Sequence, residues 1–261
     1  MADAMNLLDI AMVQARLRWR DPVTNRKHLG QLMDQSTGAD LYLLPETFST
    51  GFLGDSETAP ETMSGESVAW MVEQAVDRKA AIAGSLALLD DAGKRRNRFL
   101  FVTAEGILAY YDKRHLFGFG GEDERYSAGR TPCTFEWRGW KIDLQVCYDL
   151  RFPVWCRNSR GFDLQLFVAN WPSPRVLAWQ SLLRARAIEN QSYVIGINCS
   201  GVDGNDIDYP GCSSAWSGMG ECLVELDQRE QVSRVTLDRD KLHELRRKFP
   251  FLKDADRFVI D

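Results

Sequence analysis

Short apolar runs rich in β-branched residues alternate along the chain with segments whose apolar residues recur at helical spacing. Residues 7–14 predict a strand. Residues 22–36 predict a helix, with Asp21 placed to cap it and Pro22 at its first position. A short buried strand at 41–44 stops at Pro45, and 66–79 is helical in pattern. Residues 81–89 return to strand, Asp90, Asp91 and Gly93 make a turn, and 98–104 pair back as a hairpin. Further strands fall at 107–111 and at 141–146, the latter leading into Cys147. Residues 153–160 read as the start of a helix, 164–169 as strand, 176–190 as a long helix and 193–198 as strand. The tail predicts strands near 213–216, 222–225 and 231–237, then a helix from Lys241. Residues 51–64 and 201–211 read as long loops, a kind of segment that often carries function.

Strands alternating with helices point to an α/β layered fold, and the hairpins among them point to mixed sheets. No linker, repeat or low-complexity tract interrupts the 261 residues, so residues 1–261 are expected to form one domain. The chain is 44% hydrophobic and 26% charged, with a net charge of −5, the make-up of an ordinary globule. That balance argues against nucleic acid as a partner. Lys94, Arg95, Arg96 and Arg98 read as a solvated turn, and Arg246, Arg247 and Lys248 as a helix C-terminus. The N-terminal residues lack the basic start of a secretion signal, and no apolar stretch is long enough to span a bilayer. A cytoplasmic location with reduced thiols is expected. The six cysteines show no CxxC pair, and only His28, His115 and His243 accompany them, so no metal site is expected.

Three segments place chemistry just beyond a strand. In 43–48 (LeuLeuProGluThrPhe) Glu46 follows a buried strand, where partial desolvation would raise its proton affinity. In 110–117 (TyrTyrAspLysArgHisLeuPhe) Lys113 ends a strand. In 144–153 (LeuGlnValCysTyrAspLeuArgPhePro) Cys147 sits where a strand gives way to a helix entry, a position expected to favour thiolate. Taken singly, each residue also reads as an ordinary loop carboxylate, surface lysine or buried cysteine.

Together these segments resemble the carbon–nitrogen hydrolase (nitrilase) superfamily, whose hallmark is a Glu, Lys, Cys set on three strand ends. The resemblance runs over essentially the whole chain. Its finer match is to the omega-amidase branch, including bacterial amidases of 2-oxo acid amides. That match rests on residues 115–129, 147–153, 169–175 and 184–193. The resemblance implies a four-layer αββα sandwich, with two mixed sheets flanked by helices, paired into homodimers or larger assemblies. It implies Glu46 as general base, Lys113 as catalytic lysine, Cys147 as nucleophile, and a second glutamate shortly before Gly129. Glu122 fits that spacing, with Glu124 as the alternative.

The implied activity is cofactor-free hydrolysis of the omega-amide of a short 2-oxo dicarboxylic acid, such as 2-oxoglutaramate, through a thioester. Lys113 and the Tyr148 N–H would hold the oxyanion. A substrate carboxylate calls for a guanidinium, and Arg175 and Arg151 are the candidates, a structural ion pair of Arg151 with Asp149 or Glu46 being the alternative. Trp171, Phe117 and Phe119 are candidate pocket walls or core filling. Competing readings are a nitrilase, a carbamoylase or a neutral-amide amidase of the same superfamily. A papain-type thiol hydrolase would need a histidine base, and a non-catalytic scaffold on the same fold would have lost one of the three.

Overall fold

In the computed structural model, which describes residues 6–53 and 60–260, successive residues of one strand face two different cores. Leu8, Ile10 and Met12 enter one core while Ala11 and Val13 enter another. Phe99 and Phe101 likewise oppose Leu100 and Val102. This period-two division is what a sheet covered on both faces requires.

The first half of the chain runs β1 (Leu7–Gln14), α1 (Pro22–Asp34), β2 (Leu41–Leu43), β3 (Glu61–Thr62), α2 (Glu66–Arg78), β4 (Ala81–Leu89), β5 (Arg95–Thr103), β6 (Gly106–Asp112) and α3 (Glu122–Arg125). It continues through β7 (Cys133–Trp137), β8 (Trp140–Val146), β9 (Leu164–Ala169), α4 (Val176–Asn190), β10 (Tyr193–Asn198), β11 (Ser200–Val202) and β12 (Asp208–Pro210). The chain closes with β13 (Ser214–Trp216), β14 (Cys222–Glu225), β15 (Gln231–Asp238) and α5 (Arg239–Lys248).

Sheet one has the order β15-β1-β2-β4-β5-β6, with β3 beside β4; sheet two has the order β14-β13-β10-β9-β8-β7. Both are mixed: β1, β2 and β4 run parallel, as do β8, β9 and β10, while the outer strands pair antiparallel. Leu29 and Met33 of α1 and Met71 and Ala75 of α2 cover the outer face of sheet one. Trp179 and Leu183 of α4 lie against β10 on sheet two. That approach is close: a Cβ at Gly196 would stand 2.4 Å from Leu183 Cδ1, so only glycine fits there. The inner faces of the two sheets meet in the core between them. The result is the four-layer αββα arrangement of two mixed sheets flanked by helices. Among the described residues no helix is long and apolar enough to cross a membrane.

Asp21 caps α1 as expected, its Oδ1 accepting from Thr24 N at 3.0 Å. Other expectations fail for tertiary reasons. Residues 153–160 form turns instead of a helix. Asn158 holds that segment by bonding Phe162 twice and Asn190 twice, and Asn190 lies on a distant helix. The expected loop at 201–211 contains the β11–β12 ladder. Of the expected loop at 51–64, residues 54–59 lie outside the described residues. The basic run 94–98 is not a solvated turn: Arg96 pairs with Asp90 and Arg98 with Asp112, so β5 starts at Arg95. Arg246 at the end of α5 is tied to Asp163, Phe162 O and Gln191 O.

Candidate active site

Beyond β2 the chain turns sharply at Glu46 and Thr47. Thr47 N donates to Ser85 Oγ at 2.8 Å and Phe48 N to Ser85 O at 3.1 Å. Thr47 sits at φ 42°, an unfavourable place for a β-branched residue, so the surrounding bonds hold a strained turn. The same turn leaves Glu46 fully buried. Lys113 follows β6 directly. Its N–H donates to Asn97 O at 2.9 Å, and its carbonyl accepts from Gly129 N at 2.9 Å. A Cβ at Gly129 would fall 2.0 Å from Asp112 O, which accounts physically for glycine at this point. Cys147 follows β8 and opens a 3-10 turn, Cys147–Arg151, with its own φ at 45°.

These strand ends converge. Lys113 Nζ, 1% exposed, donates to Glu46 Oε1 at 2.9 Å and to Glu122 Oε1 and Oε2 at 3.1 and 2.8 Å. Asn97 Nδ2 donates to Glu46 Oε1 at 2.8 Å and to Glu122 Oε1 at 3.1 Å. Backbone amides complete the frame: Phe117 N to Glu122 Oε2 at 2.7 Å and Asn170 N to Glu46 Oε2 at 2.8 Å. Each carboxylate offers about four lone-pair positions. On that count Glu122 is saturated, and Glu46 keeps one position open, on Oε2. Glu122 is buried in α3, whereas Glu124 is exposed to solvent. Asn170, just past β9, also donates from Nδ2 to Glu46 O at 3.0 Å and Thr47 Oγ1 at 2.9 Å, tying sheet two to sheet one.

The electrostatics follow from burial. Desolvation opposes the Lys113 charge, but Glu122 and Glu46 outweigh it and hold the ammonium proton well above its usual range. Burial raises the Glu122 carboxyl, against the pull of Lys113 and with the push of Glu46. Burial, then Glu46, pushes the Cys147 thiol well above its ordinary range, only partly offset by Lys113. This runs against the expected thiolate. A 3-10 turn of five residues replaces the helix, and the nearest strong charge includes a carboxylate. Burial and Glu46 thus favour the neutral thiol, whose Sγ lies 4.0 Å from Asn170 O, with the Glu46 carboxylate close by.

A cavity of about 610 Å³ opens over Cys147, Glu46 and Lys113. Phe117, Tyr148, Trp171, Arg151 and Arg175 line it, so all the residues singled out for substrate contact reach the same space. Trp171 is also core filling: it is buried, packs against Trp179 at 5.5 Å, and bonds Arg175 O through Nε1 at 2.8 Å. The Arg151 guanidinium lies 4.9 Å over Trp171 and that of Arg175 5.2 Å over Phe117. Among the described residues neither is in an ion pair. Asp149, the alternative partner for Arg151, is buried and instead accepts from Tyr111 Oη, Val146 N, His115 N and His115 Nδ1 at 2.8–3.1 Å. The β11–β12 ladder brings Asp206, Asp208 and Tyr209 to the far wall. Phe119 stands at the mouth, 90% exposed.

Sequence reasoning missed Asn97 and the role of Asn170. A signal for Asn97 existed: period two on β5 puts it on the same face as Phe99 and Phe101, where an amide is out of place unless it is used.

Comparison with known proteins meets this geometry at full length. A sequence model of the carbon-nitrogen hydrolase family matches residues 9–247. The chain is 45% identical to the omega-amidase YafV of Escherichia coli K12, covering 96% of this chain and 98% of that protein. It is 35% identical to the 2-oxoglutaramate amidase of Paenarthrobacter nicotinovorans, covering 97% and 91%. A crystal structure of a CN-hydrolase superfamily protein from Xanthomonas campestris, with an arsenic adduct in its active site, superposes with a TM-score of 0.94. That protein is 48% identical, over 98% of this chain and 99% of its own. A two-sheet sandwich that gathers glutamate, lysine and cysteine at its strand ends, matched over nearly all its length, belongs to the carbon–nitrogen hydrolase family, within its nitrilase superfamily.

Proposed function

We propose that this protein is a cysteine-dependent amidase that hydrolyses the omega-amide of a small 2-oxo dicarboxylic acid, such as 2-oxoglutaramate, to the acid and ammonia. The observation that carries the reading is the open Oε2 of buried Glu46 beside Cys147, at the floor of a pocket walled by Arg151 and Arg175. The names of the full-length relatives support the substrate class.

Cys147 is the nucleophile. As its sulfur attacks the amide carbonyl, Glu46 takes the thiol proton, so the high thiol proton affinity is overcome during attack and not before it. The Lys113 ammonium and the Tyr148 N–H stabilise the oxyanion. Collapse breaks the C–N bond, and Glu46 returns its proton to the departing ammonia. Water then attacks the thioester, giving one proton to Glu46. The C–S bond breaks, and that proton goes back to the sulfur. Glu122, saturated by donors, fixes Lys113 and takes no proton in this cycle. Arg175, with Arg151 beside it, receives the substrate carboxylate, while Trp171 and Phe117 keep the slot narrow and apolar. No metal or organic cofactor enters these steps. Residues 1–261 act as one domain, in the cytoplasm and as a homodimer or larger assembly, with neither nucleic acid nor membrane as partner.

The test is ammonia release by the purified protein from 2-oxoglutaramate and from a neutral aliphatic amide, beside Cys147→Ala. Release from the 2-oxo amide alone, lost in the variant, is expected. Release from the neutral amide instead would move the protein to another branch with the same chemistry. Full activity in Cys147→Ala would end the mechanism.

A further inference from the structure

Asn97 is a buried amide on a strand face otherwise given to Phe99 and Phe101, between the two sheets. Both N–H bonds of its Nδ2 are used, one on each glutamate. Its Oδ1 is buried with no hydrogen-bond partner among the described residues. Turning the amide over would not help, because oxygen would then face two acceptor-only carboxylates. Six other buried polar atoms among the described residues share that state, Trp140 Nε1 among them; what sets Asn97 apart is that its amide reaches both glutamates. Neither packing nor the ladder asks for an amide here: the strand pairing of Asn97 with Ala87 uses backbone alone, as does its carbonyl's bond from Lys113 N.

We propose that Asn97 is a positioning residue that, with Lys113, fills both lone pairs of Glu46 Oε1 and so leaves Oε2 as the one oxygen able to take and return the thiol proton. This rests on the reading of Glu46 as base and Cys147 as nucleophile. Without Asn97, Oε1 regains an open position, the carboxylate is free to rock about its terminal torsion, and the proton has two destinations instead of one. Asn97 also joins Glu46 to Glu122, so both carboxylates keep one orientation around Lys113. The groups that face this frame are Lys113 from the end of β6, Glu122 from α3 and Cys147 from the end of β8. Tyr126 lies behind Glu122 with Arg95 over its ring, and Cys199 and Tyr209 lie on the side of β10 and β12.

The experiment is Asn97→Leu, of similar volume, measured for kcat, KM, melting temperature and the pH profile of kcat/KM with 2-oxoglutaramate. A general base is worth about 10²–10⁴ in rate, so misdirecting one is expected to lower kcat about tenfold or more. KM should change less than about threefold, because Asn97 does not line the pocket. The pH profile of kcat/KM should change, since the donor shared by the two carboxylates is gone. The melting temperature should fall, because two buried carboxylates each lose a donor; the split between kcat and KM is the readout that a merely structural role would not move. If the leucine variant does not fold, Asn97→Asp keeps the shape and exchanges a two-hydrogen donor for a carboxyl; its kcat near neutral pH should fall at least as far. A kcat within about twofold of the parent with an unmoved pH profile, in whichever variant folds, overturns the proposal. Parallel Cys147→Ala separates the two readings: a dead Cys147→Ala beside a fully active Asn97→Leu removes only the role of Asn97, whereas an active Cys147→Ala removes the underlying mechanism.

Discussion

The floor and the rim of the pocket are built on opposite principles. At the floor, Glu46, Glu122, Lys113 and Asn97 are buried and meet through hydrogen bonds of 2.8–3.1 Å, with one lone-pair position left open. At the rim, two guanidiniums rest on aromatic faces with no ion pair among the described residues, and Phe119 stands in solvent. The floor is over-determined, so removing a piece should damage chemistry and folding together. The rim is loosely held, so changes there should alter which substrate is accepted and leave the fold alone.

The strongest way to break this contrast is Lys113→Met. It strips the cation from between two buried carboxylates. Loss of kcat by about 10³ or more is expected, with destabilisation of about 3–5 kcal/mol, both read from steady-state kinetics and a melting curve. Near-parental values would erase the distinction. At the rim, Arg175→Ala should raise KM for 2-oxoglutaramate about 10- to 100-fold, the scale of one charged hydrogen bond, while KM for a neutral amide and the melting temperature stay put. Equal effects on both substrates would deny a carboxylate-binding role, and the same comparison at Arg151→Ala decides which guanidinium leads. The pH dependence of Cys147 alkylation by iodoacetamide sharpens the floor. Because burial and Glu46 raise the thiol, labelling of the resting enzyme should be slow near neutral pH and quicken only under alkaline conditions. Fast, pH-independent labelling from about pH 6 would mean a resting thiolate paired with Lys113. The smallest effect belongs to Phe119→Ala: at 90% exposure it should shift KM by less than about threefold and the melting temperature not at all.

Much of this was legible from the chain because chemistry-bearing residues stand directly after apolar runs. Leu43 and Leu44 announce the strand that ends at Glu46, and Leu144 and Val146 the one that ends at Cys147. The layered fold followed from the same alternation. Asn97 was hidden because four basic residues around it make 94–98 look solvated, whereas Asp90 and Asp112 neutralise Arg96 and Arg98 on the sheet. The turns at 153–160 depend on Asn190, and β11 and β12 depend on each other, so local pattern had nothing to say about either. The state of the Cys147 thiol was misread for a related reason: a helix entry was inferred locally, but Glu46 arrives from about a hundred residues away in sequence and sets the sign.

Asn170 has a mechanical consequence. Through its backbone and side chain it fastens β9 to Glu46 and Thr47, so the two sheets are pinned at the end where the strands stop. The opposite end is tied as well: Tyr193 Oη at the start of β10 donates to Asp238 O at the end of β15 at 2.9 Å, and Arg138 pairs with Asp40. Parting of the sheets therefore has to break both sets of ties, and amide hydrogens around Asn170 and Thr47, inside the buried set, should exchange among the last in the molecule.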